Sequence, residues 1–72
     1  MTNNKINVKF MEAIGSIATS MILNSIAKNN GSTVEIIREE VTGKGAQNIL
    51  DYMIEPERSA AYVLYQKHGF VL

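Results

Sequence analysis

Apolar positions recur with helical spacing over most of this chain. One helical face carries Phe10, Ile14, Ile17 and Met21, and a neighbouring stripe carries Ile22 and Ile26. The run stops at "KNNG", where Gly31 is a typical residue to follow the end of a helix. Before the run, "KINVKF" alternates apolar and polar residues, which predicts a short strand or an extended arm.

A second helix is predicted after Gly31. In "STVE", the Ser32 side chain is placed to cap the backbone N–H of Glu35, and Glu35 to reach back to Ser32. The inward positions of this helix are Val34, Ile37 and Val41. We expect it to end near Gly43.

Two further helices are predicted in the second half of the chain. After the glycines of "GKG", an apolar stripe continues through Ala46, Ile49, Leu50 and Met53. Pro56 suits the first turn of a last helix that runs to His68. That helix offers Ala60, Ala61, Leu64 and Tyr65 for packing, and "FVL" closes the chain as a short extended tail.

The pattern therefore predicts an all-α fold. We expect residues 1–72 to form one small four-helix domain, with a helix-turn-helix-like centre, short extended termini and frayed residues 1–4. Short apolar runs also fit buried strands, so residues 16–23 and 48–54 remain open between helix and strand.

Composition narrows the classes of function. The chain has no cysteine, which excludes disulfide scaffolds and thiolate metal sites, and neither the single histidine nor the scattered carboxylates suggest a metal site. A 72-residue chain without such cross-links has a thin core, so we expect a homo-oligomer. Seven Lys and Arg balance seven Asp and Glu, whereas dedicated nucleic-acid binders are usually basic.

The N-terminal residues give no sign of export. "MTNNKINVKF" is polar and lacks an apolar signal core, and Glu12 and Asn24 interrupt the longest apolar run. We therefore expect a cytoplasmic, soluble protein that does not span a membrane.

The last helix carries a family-like motif. Residues 61–70, "AYVLYQKHGF", resemble the C-terminal signature N-x-x-A-x-x-L-Y-x-K-x-G-F of the GNAT-family acetyltransferases, with Arg58 in place of the Asn. The resemblance covers residues 16–72 and implies a reduced α/β half-domain that binds acetyl-CoA. By resemblance, Tyr65 would protonate the departing thiolate of the cofactor.

The same family has a pyrophosphate-binding loop, R/Q-x-x-G-x-G/A, at the start of a helix. "KNNGST" is similar to it, so the resemblance implies that Lys28, Gly31 and Thr33 contact the cofactor. Lys28 replaces Arg or Gln, and Thr33 replaces a small residue. The chain has little room for the N-terminal elements that help form the acceptor site in that family.

A second pattern indicates DNA binding. "STVEIIREEVTGKGAQNILDYM" fits a helix, a turn containing Gly43 and a second helix. Outward residues of that second helix would include Lys44, Gln47 and Asn48, whose side chains suit base edges and phosphates.

The interpretation favoured by these patterns is a small non-catalytic regulatory or adaptor protein without cofactor. We expect it to bind a partner protein, or in second place DNA, through a helix face. Tyr62 lies outside the apolar stripe and is the first candidate contact, because tyrosine suits interfaces. The alternative is a reduced GNAT-like protein that binds acetyl-CoA, either as an active N-acetyltransferase that uses Tyr65 or as a degenerate member of that family.

Overall fold

A computed structural model describes residues 3–72 and confirms the all-α class. It contains three α-helices: α1 (Asn3–Asn30), α2 (Val34–Thr42) and α3 (Glu57–Lys67). A single 3₁₀ turn (Ile49–Tyr52) lies between α2 and α3. No residue from 3 to 72 forms a strand, so the α/β alternative is wrong for this part of the chain.

The predicted extended N-terminus is wrong, because α1 already begins at Asn3. Asn3 and Asn4, expected to fray, lie in its first turn, and Met1 and Thr2 lie outside the described residues. The helix is not straight. Gly15 has φ 87° and ψ 170°, which divides α1 into a first half (residues 3–14) and a second half (residues 16–30).

The kink splits the apolar face predicted for the first helix. Phe10 is fully buried and Ile14 half-buried, but Ile17 is 79% exposed and Met21 68% exposed. A non-helical residue between two helical segments changes the direction of every later side chain, so the stripe does not continue past Gly15. In the second half Ile22, Leu23 and Ile26 are buried instead.

The second helix is confirmed, with a different cap. The hydroxyl of Thr33, not that of Ser32, accepts a hydrogen bond from the backbone N–H of Ile36 at 3.2 Å. Ile37 and Val41 are buried as predicted, and Gly43 follows the last turn.

The third predicted α-helix is wrong, and with it the helix-turn-helix-like centre of the fold. Residues 43–48 form a loop, and residues 48–54 contain only the 3₁₀ turn rather than a helix or a strand. Asn7 of α1 holds this loop. Its side-chain Nδ2 donates to the carbonyls of Val41 and Gln47, at 2.9 and 2.8 Å, and its Oδ1 accepts from the N–H of Ile49 at 2.9 Å. Ile49, Leu50 and Met53 are nevertheless buried.

The last helix is confirmed and completes the core. Ala61 and Tyr65 are buried, whereas Ala60 is exposed. The rings of Phe10, Tyr65 and Phe70 form one cluster, with centroids 5.1 to 5.8 Å apart. Phe10 packs edge-to-face against both Tyr65 and Phe70, which joins α1 to α3 and to the C-terminal residues.

By length and composition alone, α1 is also long and apolar enough to cross a membrane. The same criterion is met by a core helix of a globular domain, and α1 contributes Phe10, Leu23 and Ile26 to this core. Length and composition therefore carry little weight for membrane insertion.

Candidate partner-binding site

An apolar groove runs between the second half of α1 and α3. It encloses about 270 Å³, and its lining is mostly apolar. Its lining includes Ala18, Met21 and Ser25 of α1, Ala60 and Leu64 of α3, and Met53 from the segment before α3. Small side chains such as Ala18, Ser25 and Ala60 leave room for another backbone to come close. We call this surface the α1–α3 groove.

Exposed apolar side chains border the α1–α3 groove. Met21 is 68% exposed and Val63 64% exposed. On a helix surface, residues three and four apart are neighbours, so Ile17 adjoins Met21 and Val63 adjoins Ala60. Contiguous exposed apolar surface on a folded domain marks an interaction site more often than scattered single residues do.

Among the described residues that line this groove, Glu57 alone carries a charge. It is exposed and lies in the first turn of α3, where a carboxylate is favoured by the helix dipole. A basic residue of a ligand in the groove would therefore meet an opposite charge at this end of α3.

A second cavity lies between α1 and α2 and includes Gly15, the kink residue, in its lining. It encloses about 490 Å³ and opens broadly to solvent. Its lining includes Glu12 and Arg38, both exposed, and the hydroxyls of Ser16 and Thr42. The mixture of charges and hydroxyls makes it a wetter surface than the α1–α3 groove.

The structure places the predicted partner-binding residues in different environments. Lys44 and Gln47 are exposed in the loop after α2, but Asn48 is buried. The Nδ2 of Asn48 donates to the hydroxyl of Tyr65 at 2.9 Å, and its Oδ1 accepts from the N–H of Leu50 at 2.9 Å. Tyr62 is half-buried, and its hydroxyl accepts from Nε2 of Gln66 at 3.1 Å.

The residues named by the acetyltransferase resemblance do not form one site. Tyr65 is fully buried in the aromatic cluster. Lys28 and Gly31 are exposed at the end of α1, and Thr33 caps α2. Arg58 stands where that family has Asn. Its Nε donates to the carbonyl of Leu50 at 3.2 Å, and its Nη2 lies 3.8 Å from Oδ1 of Asp51.

The sequence patterns miss two residues that matter in the structure. The apolar stripe predicts a core position for Met21, but Met21 lines the α1–α3 groove. The alternating pattern predicts an extended arm at Asn7, but Asn7 lies in a helix and is fully buried. Gly15 interrupts the apolar run before Met21, but glycine is tolerated within a helical stripe and does not by itself predict a kink. No local signal marks Asn7, because its partners lie 34 to 42 residues away.

Within residues 3–72, no three His, Asp or Glu side chains lie close enough together to hold a metal ion. The chain matches no protein-family model, and no curated protein or solved structure is significantly similar to it. Its function is therefore inferred from the fold and the surface of the chain itself.

Proposed function

We propose that this protein is a small non-catalytic adaptor or regulator that binds an amphipathic helix of a partner protein in the α1–α3 groove. The α1–α3 groove, with the exposed Met21 on its wall, is the observation that carries the proposal. An apolar groove between two helices suits a helical ligand that presents residues at i, i+3 or i+4, and i+7. Methionine adapts its shape to such ligands because it is unbranched and polarisable.

The charge in the groove specifies the ligand further. Glu57 is exposed beside an otherwise uncharged lining, so it favours a helix that carries Lys or Arg at the edge of its apolar face. Such a pair contributes more to specificity and orientation than to affinity.

The test is selection of binders from a displayed library of amphipathic helical peptides. We expect binders with a helical apolar stripe and a flanking basic residue. Met21→Glu should weaken the selected peptides by at least about tenfold, because it places a charge against their apolar face. Ile36→Glu is the matched control: Ile36 is 48% exposed on α2 and does not line the groove, so its substitution should leave binding unchanged.

Charge exchange tests the role of Glu57. Glu57→Lys should weaken peptides with a basic flank, and reversing that flank to Glu in the peptide should restore binding. If no peptide binds, or if Met21→Glu and Ile36→Glu act alike, the groove is not the binding surface.

Duplex DNA is the comparison ligand. Binding that falls steeply with salt and is lost in Lys44→Ala and Gln47→Ala, but retained in Met21→Glu, would favour the nucleic-acid alternative over the groove.

A further inference from the structure

The kink in α1 depends on one residue. Gly15 has φ 87° and ψ 170°, a region of backbone conformation that glycine alone adopts readily. A Cβ atom at this position would meet no atom within 4 Å. The position therefore needs glycine for its backbone conformation and not for space. Rotation about the backbone dihedral angles of this one residue therefore changes the angle between the two halves of α1.

The alternative conformation of Gly15 is the helical one. A straight helix of 28 residues is about 42 Å long, whereas the greatest extent of the molecule is 30 Å. Straightening would therefore carry the first half of α1 away from the rest of its own chain.

The first half carries contacts that the rest of the fold needs. Phe10 is fully buried against Tyr65 and Phe70. Asn7 is fully buried and makes hydrogen bonds to three residues of the segment between Val41 and Ile49. A second copy of this chain with a straight α1 offers the same vacant surface, so each lost contact is regained between copies.

We propose that Gly15 is a hinge through which residues 3–14 are exchanged between two copies of this chain to form a dimer. The apolar pattern supports the straight form independently. The spacing of Phe10, Ile14, Ile17 and Met21 is that of one uninterrupted helical face. The kinked form breaks this face and leaves Ile17 79% exposed. In the exchanged dimer the two straight helices pass each other at the hinge, and Ile14 and Ile17 are covered there.

A hydrogen bond across the kink stabilises the kinked form of α1. The hydroxyl of Thr19, which is only 4% exposed, donates to the carbonyl of Met11 at 2.9 Å. That carbonyl lies in the last turn of the first half, where helical partners are missing. In a straight helix, residues eight apart are about 12 Å apart along the axis, so this bond exists only in the kinked form.

Gly15→Ala tests the proposal, read by light scattering after size-exclusion chromatography. Alanine disfavours the kinked backbone and favours the helical one. We expect the mass to double from 8.0 kDa, with a dimer dissociation constant at least about tenfold lower than that of the native chain. The matched control is Gly45→Ala, which changes another positive-φ glycine in open space but joins no helices. It should lower stability and leave the association unchanged. A monomeric Gly15→Ala, or equal association in both variants, overturns the proposal.

Two further variants keep the test decisive if Gly15→Ala does not fold. Thr19→Val removes the bond across the kink while keeping the shape, and should raise the dimer fraction. D-alanine at position 15, accessible by chemical synthesis, favours positive φ and should keep the chain monomeric. A dimer fraction that does not rise in Thr19→Val, or a dimer formed by the chain with D-alanine at position 15, overturns the proposal.

Exchange is distinguished from ordinary pairing by a distance within one chain. The chain has no cysteine, so spin labels at Lys9→Cys and Lys28→Cys report on α1 alone when labelled chains are diluted with unlabelled ones. A straight helix separates these positions by about 28 Å along its axis. A dimer in which the distance stays at its monomer value contradicts exchange.

Discussion

The buried side chains of Asn7, Asn48 and Tyr65 fix the loop between α2 and α3. Asn7 holds the carbonyls of Val41 and Gln47, and Asn48 joins Leu50 to the hydroxyl of Tyr65. Among the described residues, every buried side-chain nitrogen or oxygen has a hydrogen-bond partner. Buried polar groups with full sets of partners specify one arrangement, because any other arrangement leaves a group unpaired.

Tyr65→Phe should destabilise the domain by about 1–2 kcal/mol, because Nδ2 of the buried Asn48 loses its acceptor. Thermal and urea unfolding followed by circular dichroism would measure the loss, since 1 kcal/mol shifts the melting temperature of so small a domain by about 4–8 °C. Tyr62→Phe is the matched control. Its hydroxyl is bonded only to the exposed Gln66 among the described contacts, so the cost should stay below about 0.5 kcal/mol. Equal losses in the two variants would contradict a structural role for the Tyr65 hydroxyl.

At the scale of elements, local signals predict some helices well and miss others. The sequence patterns around α2 and α3 are self-contained, with a start signal, an apolar stripe and a stop, and both helices are confirmed. Residues 46–53 also carry an apolar stripe, but the side chain of Asn7 binds the carbonyl of Gln47 and the N–H of Ile49, so these backbone groups are not available to a helix. The apolar pattern does not reveal the kink at Gly15, because glycine is tolerated within a helical stripe. The α1–α3 groove is formed by two helices that are far apart in the sequence, so no local pattern indicates it.

Glycine is needed at position 43, after the end of α2, because the backbone of Glu39 comes close to its Cα, and not because of its dihedral angles. Its φ of −76° suits any residue, but a Cβ would lie 2.8 Å from the backbone oxygen of Glu39. Gly43→Ala should therefore cost about 1–3 kcal/mol of unfolding free energy, because backbone atoms must shift to relieve the overlap. The exposed neighbour Lys44→Ala is the control and should change stability by less than about 0.5 kcal/mol. Denaturant midpoints measure both, and an unchanged midpoint in Gly43→Ala would rule out the close contact.

At the scale of the whole molecule, the exposed apolar side chains are not the result of loose packing. The radius of gyration is 10.9 Å, close to the roughly 11 Å expected for a compact domain of this length. The domain has zero net charge, and Ile17, Met21 and Val63 are exposed on its surface. Such apolar surface favours binding to another protein surface. In the proposed complex a ligand in the α1–α3 groove would cover Met21, and in the proposed exchanged dimer Ile17 would be covered. The second half of α1 stays on α3 in both cases.

Binding in the α1–α3 groove is tested most directly by the heat-capacity change when a selected amphipathic helix binds the native protein, measured by calorimetry at several temperatures. Burial of the ligand in the apolar α1–α3 groove predicts a clearly negative value that changes little with salt and disappears in Met21→Glu. A value near zero, with affinity that falls steeply as salt rises, would show that charged surface and not the groove carries the binding.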